Sequence, residues 1–510
     1  MSAWARLPGR YWAALGHGWR VLDRDLRLPP PAAATSRRVV VAALLLGLLA
    51  AVFNQLAVPL RASHSARVTA DEPFYLLTTV SLLADGDLDL TNDYALQRYR
   101  AYFDHPQDLW HQSVPTTDGR LLSPHNLGTS LLVLPAYALG GLDGAKRFLA
   151  VLGGATVAFM VLLAYRAIGH LPAALAAATL VGGSAPLFIY SAQIYPEGAS
   201  ALLVTACAWL LLGRQPGPRS AVLLALGLSG LAWLGAKYAL VGSAIALPGL
   251  VRLRPGARLL LVALLVPSAA AYAWFHLATY GGLTPYIVNR LYAGSTTVEL
   301  IGAHLELWNR LSRLAGLWID GEFGLVRWAP ILLLALPGVP LLARRPGPVR
   351  WVLPLVIGAQ VLVAVFFSIT MRGWWFPGRM LIAVLPLLAV PLAVTLVQVR
   401  GRPLLAGLAA FLGIATLGIS LALREAVAAE RVVLAVDPFA LPWPPFQAVA
   451  ALVPVYTTYQ TSTWLLTAGW VLVMGALVAV GRRLQASPPP AAAPEDVALE
   501  PSSRQLREAP

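Results

Sequence analysis

Long hydrophobic segments recur along most of the 510-residue chain and are separated by short polar connections. Many of these segments are about 18–22 residues long, enough for a helix to cross a hydrocarbon core of about 30 Å. None shows the alternating ten-residue pattern of a membrane β-barrel. The pattern predicts an all-α polytopic membrane protein with about twelve transmembrane helices. The predicted spans are 39–60, 147–167, 171–192, 197–213, 220–235, 238–251, 258–279, 327–343, 351–369, 380–399, 403–423 and 462–481.

Three polar stretches are longer than the other connections: residues 61–128, 280–326 and 424–461. Loops held by a rigid scaffold carry binding and catalytic residues disproportionately. The first stretch is rich in acidic residues and histidines, so it is the expected catalytic loop. Segment 127–141, which overlaps its end, is apolar but too short for an ordinary span. We expect that segment to form a re-entrant or interfacial helix.

The short connections between spans carry arginine and no acidic residue. Because cytoplasmic loops are enriched in Lys and Arg, these connections are expected in the cytoplasm. Both termini then lie in the cytoplasm, and the three long polar loops lie outside the cytoplasmic membrane. The connections are 166–170, 214–219, 252–258, 344–350, 400–402 and 482–483.

Both ends of the chain are expected outside the membrane domain, which covers residues 39–482. Residues 483–510 are of low complexity and are expected to be a disordered cytoplasmic tail. Residues 1–38 form a basic arm, expected to be either an amphipathic helix on the inner leaflet or partly disordered. The apolar stripe that favours the helix consists of Trp12, Leu15, Trp19, Leu22 and Leu26.

Composition agrees with a membrane protein and narrows its chemistry. The chain is 58% hydrophobic and 12% charged, whereas soluble domains have about 25% charged residues. The net charge of +14 comes from basic residues that flank apolar segments, so we ascribe it to membrane orientation and expect no nucleic-acid partner. The single cysteine, Cys207, excludes a disulfide or a cysteine metal site within one chain.

Two adjacent carboxylates, Asp71 and Glu72, follow the first span directly. One interpretation is structural, because Thr69-Ala-Asp-Glu72 fits the S/T-x-x-E capping box at a helix start. The other is catalytic, because a general base that takes a proton from a hydroxyl needs a carboxylate at a water-accessible edge. The two interpretations are compatible, since a capped helix start holds a carboxylate rigidly. The pattern does not distinguish which carboxylate is the base.

The remaining polar motifs of the first loop give no familiar site. The acids between Asp85 and Asp93 lack the glycine that an EF-hand needs at its sixth position, where Leu90 stands, so a polar turn is expected. The histidines have no metal-ligand spacing, and His125 is the one expected to bind substrate. A requirement for a divalent metal stays open. Walker, GxSxG and SxxK patterns are absent from the sequence.

Polar and aromatic residues also stand at the outer ends of several separate spans. Each alone is typical of an interfacial anchor or a helix cap. Together they predict a ring at one membrane depth, where ionisable groups are expensive and therefore indicate function. Its cations could bind a lipid-linked phosphate. The residues are Tyr195, Glu197, Lys237, Asp320, Glu322, Arg372, Trp374 and Arg379.

These motifs resemble those of bacterial integral-membrane glycosyltransferases of the C type (GT-C), which include protein mannosyltransferases and lipid A aminoarabinose transferases. The resemblance extends over residues 40–400. It rests on Asp71-Glu72-Pro-Phe-Tyr75 after the first span, and on segments 123–141, 193–199, 232–240, 318–338 and 374–388.

The resemblance implies a GT-C-like fold, with juxtamembrane helices in a large first outer loop and Asp71 as the catalytic base. It implies a polyprenyl-phosphate-linked sugar donor, inversion at the anomeric carbon, and a lipid, glycan or protein acceptor. Lys237, Arg372 and Arg379 would bind the donor phosphate. Lys237 stands where an arginine is expected in relatives. Supporting or acceptor-side roles would fall to Tyr75, Tyr195, Glu197, Asp320, Glu322 and Trp374.

Two other functions compete with the glycosyltransferase. A transporter or flippase of lipid-linked sugars predicts polar residues in the middle of spans, whereas the span centres here are mostly Leu, Ala, Val and Gly. A polymerase or ligase of lipid-linked glycans shares the donor chemistry. It would depend on Arg372 and Arg379 more than on Asp71.

Overall fold

A computed structural model describes residues 36–213, 216–292, 299, 307–368, 370–457 and 459–486. Within these ranges the chain is helical, and its only β-bridges are the isolated pairs Ser63–Ala66 and Ser113–Asn289. The predicted all-α class is confirmed. The structure describes residues 483–486 of the predicted disordered tail, and these four residues end a helix that begins at Thr461. The rest of the tail, and the stripe on which the predicted interfacial helix of the basic arm rests, lie outside the described residues.

Eighteen α-helices are described here and are numbered in chain order. They are α1 Arg37–Asn54, α2 Glu72–Ala84, α3 Thr91–Ala95, α4 Gly128–Ile168, α5 Leu171–Gly182, α6 Ala185–Tyr190, α7 Pro196–Leu211, α8 Pro218–Leu234, α9 Ala239–Arg252, α10 Pro255–Tyr280, α11 Leu307–Ile319, α12 Leu325–Trp328, α13 Ala335–Ala343, α14 Val349–Leu362, α15 Ala389–Val399, α16 Pro403–Ala428, α17 Pro444–Ala448 and α18 Thr461–Ala486. Short 3₁₀ turns precede several of them.

Among the described residues, six helical segments are long and apolar enough to cross a membrane. They are α1, α4, α10, α14 together with its π-helical continuation Val363–Phe367, α16 and α18. The predicted number of about twelve spans is not confirmed, because the other predicted spans correspond to shorter helices. Predicted span 171–192 breaks between α5 and α6, near Gly182 and Pro186. Predicted span 380–399 is α-helical only from Ala389, after two 3₁₀ turns, Arg379–Leu381 and Leu385–Leu388, the second of which includes Pro386. Proline removes a backbone donor, so it ends or interrupts helices at such points.

Segment 127–141 forms a helix that continues into the next span through a kink. Gly140 and Gly141 have non-helical dihedrals within α4, and Gly141 has φ 59°. Glycine adopts this left-handed conformation without the steric penalty of a Cβ atom. The kink therefore separates the short predicted helix from the long one that packs on α1.

Small residues bring α1 and α4 into close contact. A Cβ atom on Gly47 would lie 2.9 Å from the Cβ of Ala158, and one on Gly154 would lie 2.4 Å from the carbonyl oxygen of Gly47. Such small-residue interfaces allow helices to associate closely without a hydrophobic driving force from water. This contact fixes the end of α1, from which the first long loop begins.

The first long loop is folded by local polar contacts around α2 and α3. Arg98 pairs with both Asp85 and the buried Asp93. Asp89 accepts hydrogen bonds from the backbone N–H groups of Thr91 (3.1 Å) and Leu121 (2.9 Å). Such local side-chain contacts agree with the polar turn that the sequence predicts between Asp85 and Asp93. In the described part of the chain, no group of three His, Cys, Asp or Glu residues could hold a metal ion.

Candidate functional site

The side chains of Asp71 and Arg379, which are 308 positions apart, form an ion pair. Arg379 Nη2 donates to Asp71 Oδ2 at 2.6 Å. Asp71 is the N-cap residue of α2, but its carboxylate makes no capping bond. Its side chain is 22% exposed, whereas that of Arg379 is only 6% exposed. The carboxylate therefore points away from its own helix, to a buried guanidinium, and remains accessible.

Glu197 joins this pair to a second cation. Its Oε1 atom accepts from Arg379 Nε at 2.7 Å and from Lys237 Nζ at 2.6 Å. Glu197 lies in the first turn of α7, and Lys237 lies in the 3₁₀ turn between α8 and α9. Asn126 supports that turn by accepting the Ala236 N–H at 3.2 Å. One buried carboxylate thus holds two cations from different parts of the chain side by side.

His125 completes what we call the central cluster: Asp71, His125, Glu197, Lys237 and Arg379. The His125 Nε2 atom lies 4.0 Å from Asp71 Oδ1 and 2.6 Å from Gln112 Oε1. The imidazole also packs on Tyr75, with ring centroids 4.7 Å apart. Burial lowers the pKa of His125 below its ordinary value, despite the opposing influence of Asp71. The imidazole is therefore neutral at pH 7, and its Nε2 donates to Gln112.

The electrostatic environment of Asp71 favours its ionised form. Burial alone would raise its pKa, but the charge and hydrogen bond of Arg379 outweigh burial, with help from His125 and Lys237. The pKa of Asp71 is lowered to about 2. A carboxylate held this firmly by a guanidinium accepts a proton poorly, so its basicity depends on whether Arg379 stays in place.

Glu72 has a different environment from its neighbour Asp71. It is fully buried, and its two carboxylate oxygens accept the backbone N–H groups of Thr69 (3.1 Å) and Ile194 (2.8 Å). The first of these contacts is the carboxylate half of the predicted capping box. Glu72 therefore ties the start of α2 to the segment before α7, which carries Tyr195 and leads into the first turn of α7, where Glu197 lies.

Aromatic rings and a glycine turn position Arg379. Its guanidinium carbon lies 4.1 Å from the ring centroid of Tyr195 and 4.7 Å from that of Trp375. The residue before it, Gly378, has φ 84°, a conformation that glycine adopts readily. Tyr190 anchors the same turn by donating its hydroxyl to the Phe376 carbonyl oxygen at 2.6 Å. The cation is thus fixed by stacking and backbone geometry as well as by carboxylates.

The rest of the predicted ring forms a separate group, which we call the Asp320 group: Asp320, Glu322 and Arg372. Arg372 Nη2 donates to Asp320 Oδ2 at 2.5 Å, and Arg372 Nη1 lies 4.0 Å from Glu322 Oε2. Asp320 is fully buried and also accepts backbone N–H groups, including that of Tyr456 at 3.1 Å. Among the described residues, no hydrogen bond or ion pair joins this group to the central cluster. Trp374 is 64% exposed.

Sequence reasoning missed Gln112 and Trp375. Gln112 stands in the first loop without a motif around it, so only the fold shows that it faces His125. Trp374 was chosen in place of Trp375, because the two are adjacent in an irregular segment. The sequence there has no periodic pattern that shows which side chain points inward. A search for an aromatic partner of Arg379 could have suggested either tryptophan.

Comparisons with known proteins show only a low similarity in sequence and structure. No family model and no curated protein matches the chain. Two similar solved structures are crystal structures of ArnT from Cupriavidus metallidurans, one bound to undecaprenyl phosphate and one in the apo state. Each is 15% identical over 86% of this chain and 74% of the ArnT chain, with TM-scores of 0.46 and 0.44. ArnT is an aminoarabinose transferase of the GT-C fold, the group that the motifs resemble. At these values the likeness indicates neither the reaction nor the substrates of this chain.

Proposed function

We propose that this chain is an inverting glycosyltransferase that moves a sugar from a polyprenyl-phosphate donor to an acceptor hydroxyl. The observation that carries the proposal is the central cluster itself. It holds an accessible carboxylate, Asp71, beside two cations, Arg379 and Lys237, that share one oxygen of Glu197. Such a set contains both parts that the reaction needs: a proton acceptor and counter-charges for a phosphate leaving group.

In the proposed step, the acceptor oxygen bonds to the anomeric carbon while the bond from that carbon to the phosphate oxygen breaks. The electron pair goes to the phosphate, and the hydroxyl proton goes to Asp71. A single displacement of this kind inverts the anomeric configuration. The phosphate changes from a diester with one negative charge to a monoester with a second charge. Cations beside it therefore stabilise the transition state more than the ground state.

Lys237 is the cation best placed to meet the donor phosphate. Its side chain is 27% exposed, against 6% for Arg379. Within the described chain its ammonium donates only to Glu197, so two of its three N–H groups are free for phosphate oxygens. A lysine contacts phosphate as a point charge and lacks the bidentate grip of arginine. The stacked guanidinium of Arg379 would supply that planar contact.

Donor binding would also activate the base. In the structure Arg379 is bound to Asp71, which keeps the pKa of that carboxyl near 2. A phosphate that attracts Arg379 competes with Asp71 for the guanidinium. Because weakening this ion pair raises the pKa of Asp71, the carboxylate becomes a better proton acceptor when the donor is present. The same arginine would thus couple leaving-group binding to base strength.

The proposed location follows from the arginine-rich short connections. With those connections in the cytoplasm, the central cluster faces the outside of the cytoplasmic membrane, where both substrates would be held by the bilayer or its surface. The acceptor would be a lipid, glycan or protein hydroxyl.

The test compares two isosteric variants of adjacent carboxylates, Asp71→Asn and Glu72→Gln, in purified protein with a synthetic polyprenyl-phosphate sugar. Asp71→Asn is expected to lower kcat about 10²–10⁴-fold, as for loss of a general base. Glu72→Gln replaces one of the two accepting oxygens by an amide NH₂, so one of the two backbone N–H groups loses its acceptor. It is therefore expected to lower the melting temperature and to keep kcat of the folded protein within a few-fold.

Full activity of Asp71→Asn would refute the assignment, and a loss confined to Glu72→Gln would transfer the role of base to Glu72. Proteoliposomes separate the flippase alternative. Wild-type protein that moves the donor lipid between leaflets and releases no transferred sugar would contradict the proposed reaction.

A further inference from the structure

A second set of cationic side chains lies outside the central cluster, around a cavity of about 560 Å³. The cavity lies between the segment that follows α1 and the part of α4 just after its kink. Its lining residues are Gln55, Val58, Pro59, Arg67, Asp143 and Arg147. Gln55 joins the two walls, because its Nε2 donates to the Arg147 carbonyl oxygen at 3.5 Å.

The cavity has one more positive than negative side chain. Arg67 is paired, since its Nη2 donates to Asp143 and to the Val58 carbonyl oxygen. The Nε of Arg67 is buried and has no hydrogen-bond partner among the residues that the structure describes. Arg147 is exposed, and in the described ranges its guanidinium has neither a hydrogen-bond nor an ion-pair partner. An anion in the cavity would complete this arrangement.

Apolar side chains exposed beside the cavity show which surroundings it faces. Val52 and Leu56 are exposed on and just after α1. Val151 is exposed one turn after Arg147 on α4, so both side chains lie on the same helix face. In a membrane protein, exposed aliphatic side chains on a long apolar helix face lipid. An unpaired arginine next to them is expensive unless an anionic headgroup compensates it.

We propose that this cavity binds the phosphate headgroup of an anionic membrane lipid, with Arg147 as the main contact. Guanidinium groups match phosphate oxygens in a planar, bidentate geometry. Arg67 would contribute the second cation, and the acyl chains would lie along the apolar surface of α1 and α4. The site is distinct from the central cluster, since neither arginine belongs to that cluster.

The position of the cavity suggests what the lipid does. Arg67 is four residues before Asp71, so their Cα atoms are no more than about 14 Å apart. Arg67 also accepts a hydrogen bond from the buried Lys146 through its carbonyl oxygen at 2.9 Å. A bound headgroup would therefore hold the short segment that leads from α1 to the start of α2.

The test is native mass spectrometry of the full-length, detergent-purified protein with added lipids. The probes are phosphatidylglycerol, the zwitterionic phosphatidylcholine, and inorganic phosphate alone. Arg147→Gln is the test variant, and Arg290→Gln is the matched control, because Arg290 is also an exposed arginine but does not line the cavity. Thermal unfolding without added lipid checks that both variants fold like wild type.

Wild type and Arg290→Gln are expected to bind phosphatidylglycerol in preference to phosphatidylcholine. Arg147→Gln is expected to bind phosphatidylglycerol about tenfold more weakly, as for loss of one charged hydrogen-bonding group. Equal phosphatidylglycerol affinity in wild type and Arg147→Gln would overturn the proposal, as would equal binding of the two lipids by wild type. Displacement of the lipid by equimolar inorganic phosphate would overturn the assignment to a lipid headgroup.

Discussion

Removal of the guanidinium from Arg379 should change the pH dependence of the enzyme in a way that reports on Asp71. The pKa of Asp71 is about 2 instead of 3.8, a difference that corresponds to about 2.4 kcal/mol in favour of the ionised carboxylate. Arg379 is the main cause of the lowering, through its charge and its hydrogen bond. In Arg379→Gln, burial is no longer outweighed, so we expect the pKa of Asp71 to rise to 3.8 or higher.

A base works in its deprotonated form, so activity is lost as the pH falls through its pKa. In wild type the acid limb of kcat/KM, which reports the free enzyme, should lie below the accessible range. In Arg379→Gln, kcat/KM at pH 4 should fall to about 60% or less of its plateau at pH 7, whereas wild type should keep nearly all of it.

Lys237→Gln provides the matched control. It also removes a cation from beside Glu197, but Lys237 is the smallest of the named contributors to the lowered pKa of Asp71. Both variants should turn over more slowly, and only Arg379→Gln should move the acid limb. The assay is radiolabelled or fluorescent sugar transfer at limiting donor, from pH 4 to 8. An acid limb that stays at its wild-type position in Arg379→Gln would refute the coupling between this arginine and Asp71.

Two further substitutions separate neighbouring parts of the site. Arg372→Gln leaves the buried Asp320 without its cation, so it should cost about 3–5 kcal/mol of stability, measured by thermal unfolding. The pH profile of the folded enzyme should stay unchanged. A larger loss of kcat than in Asp71→Asn would favour a polymerase or ligase. Gly378→Ala places a Cβ 2.7 Å from Leu325 Cδ2 at φ 84°. It should cost about 1–2 kcal/mol of stability, and it should lower kcat/KM for the donor because Arg379 moves. Unchanged stability and unchanged kcat/KM would show that this turn accommodates the added methyl group.

Much of the fold class could be predicted because membrane helices depend on long apolar runs, which are visible in any single chain. The number of spans was harder to predict. Hydropathy does not distinguish a continuous helix from two short ones, and proline positions such as Pro186 and Pro386 decide between them only in their tertiary context. The kink at Gly140–Gly141 was foreseeable as the end of a short apolar segment.

The site was predictable in its residue types and only partly in its grouping. Lys237, Glu197 and Arg379 stand at the ends of different predicted spans, and ends at the same side of a bundle meet. Which carboxylate faces them could not be predicted from the residue pattern, and only the resemblance pointed to Asp71. That choice depends on the backbone before α2, where Ala70 has φ 53°, a left-handed conformation that no sequence signal requires at an alanine.

The charges of the central cluster are balanced in a way that suits the proposed transfer. Asp71 and Glu197 offset Arg379 and Lys237, and His125 is neutral at pH 7 because burial lowers its pKa, so the five residues carry no net charge before the reaction. Proton transfer to Asp71 would leave the cluster with one positive charge at the moment when the phosphate gains a second negative charge. The two new charges would develop next to each other, at groups that are already in place. An uncharged Asp71 no longer competes for Arg379, so the guanidinium that the donor phosphate already attracts would be fully available to stabilise the departing phosphate.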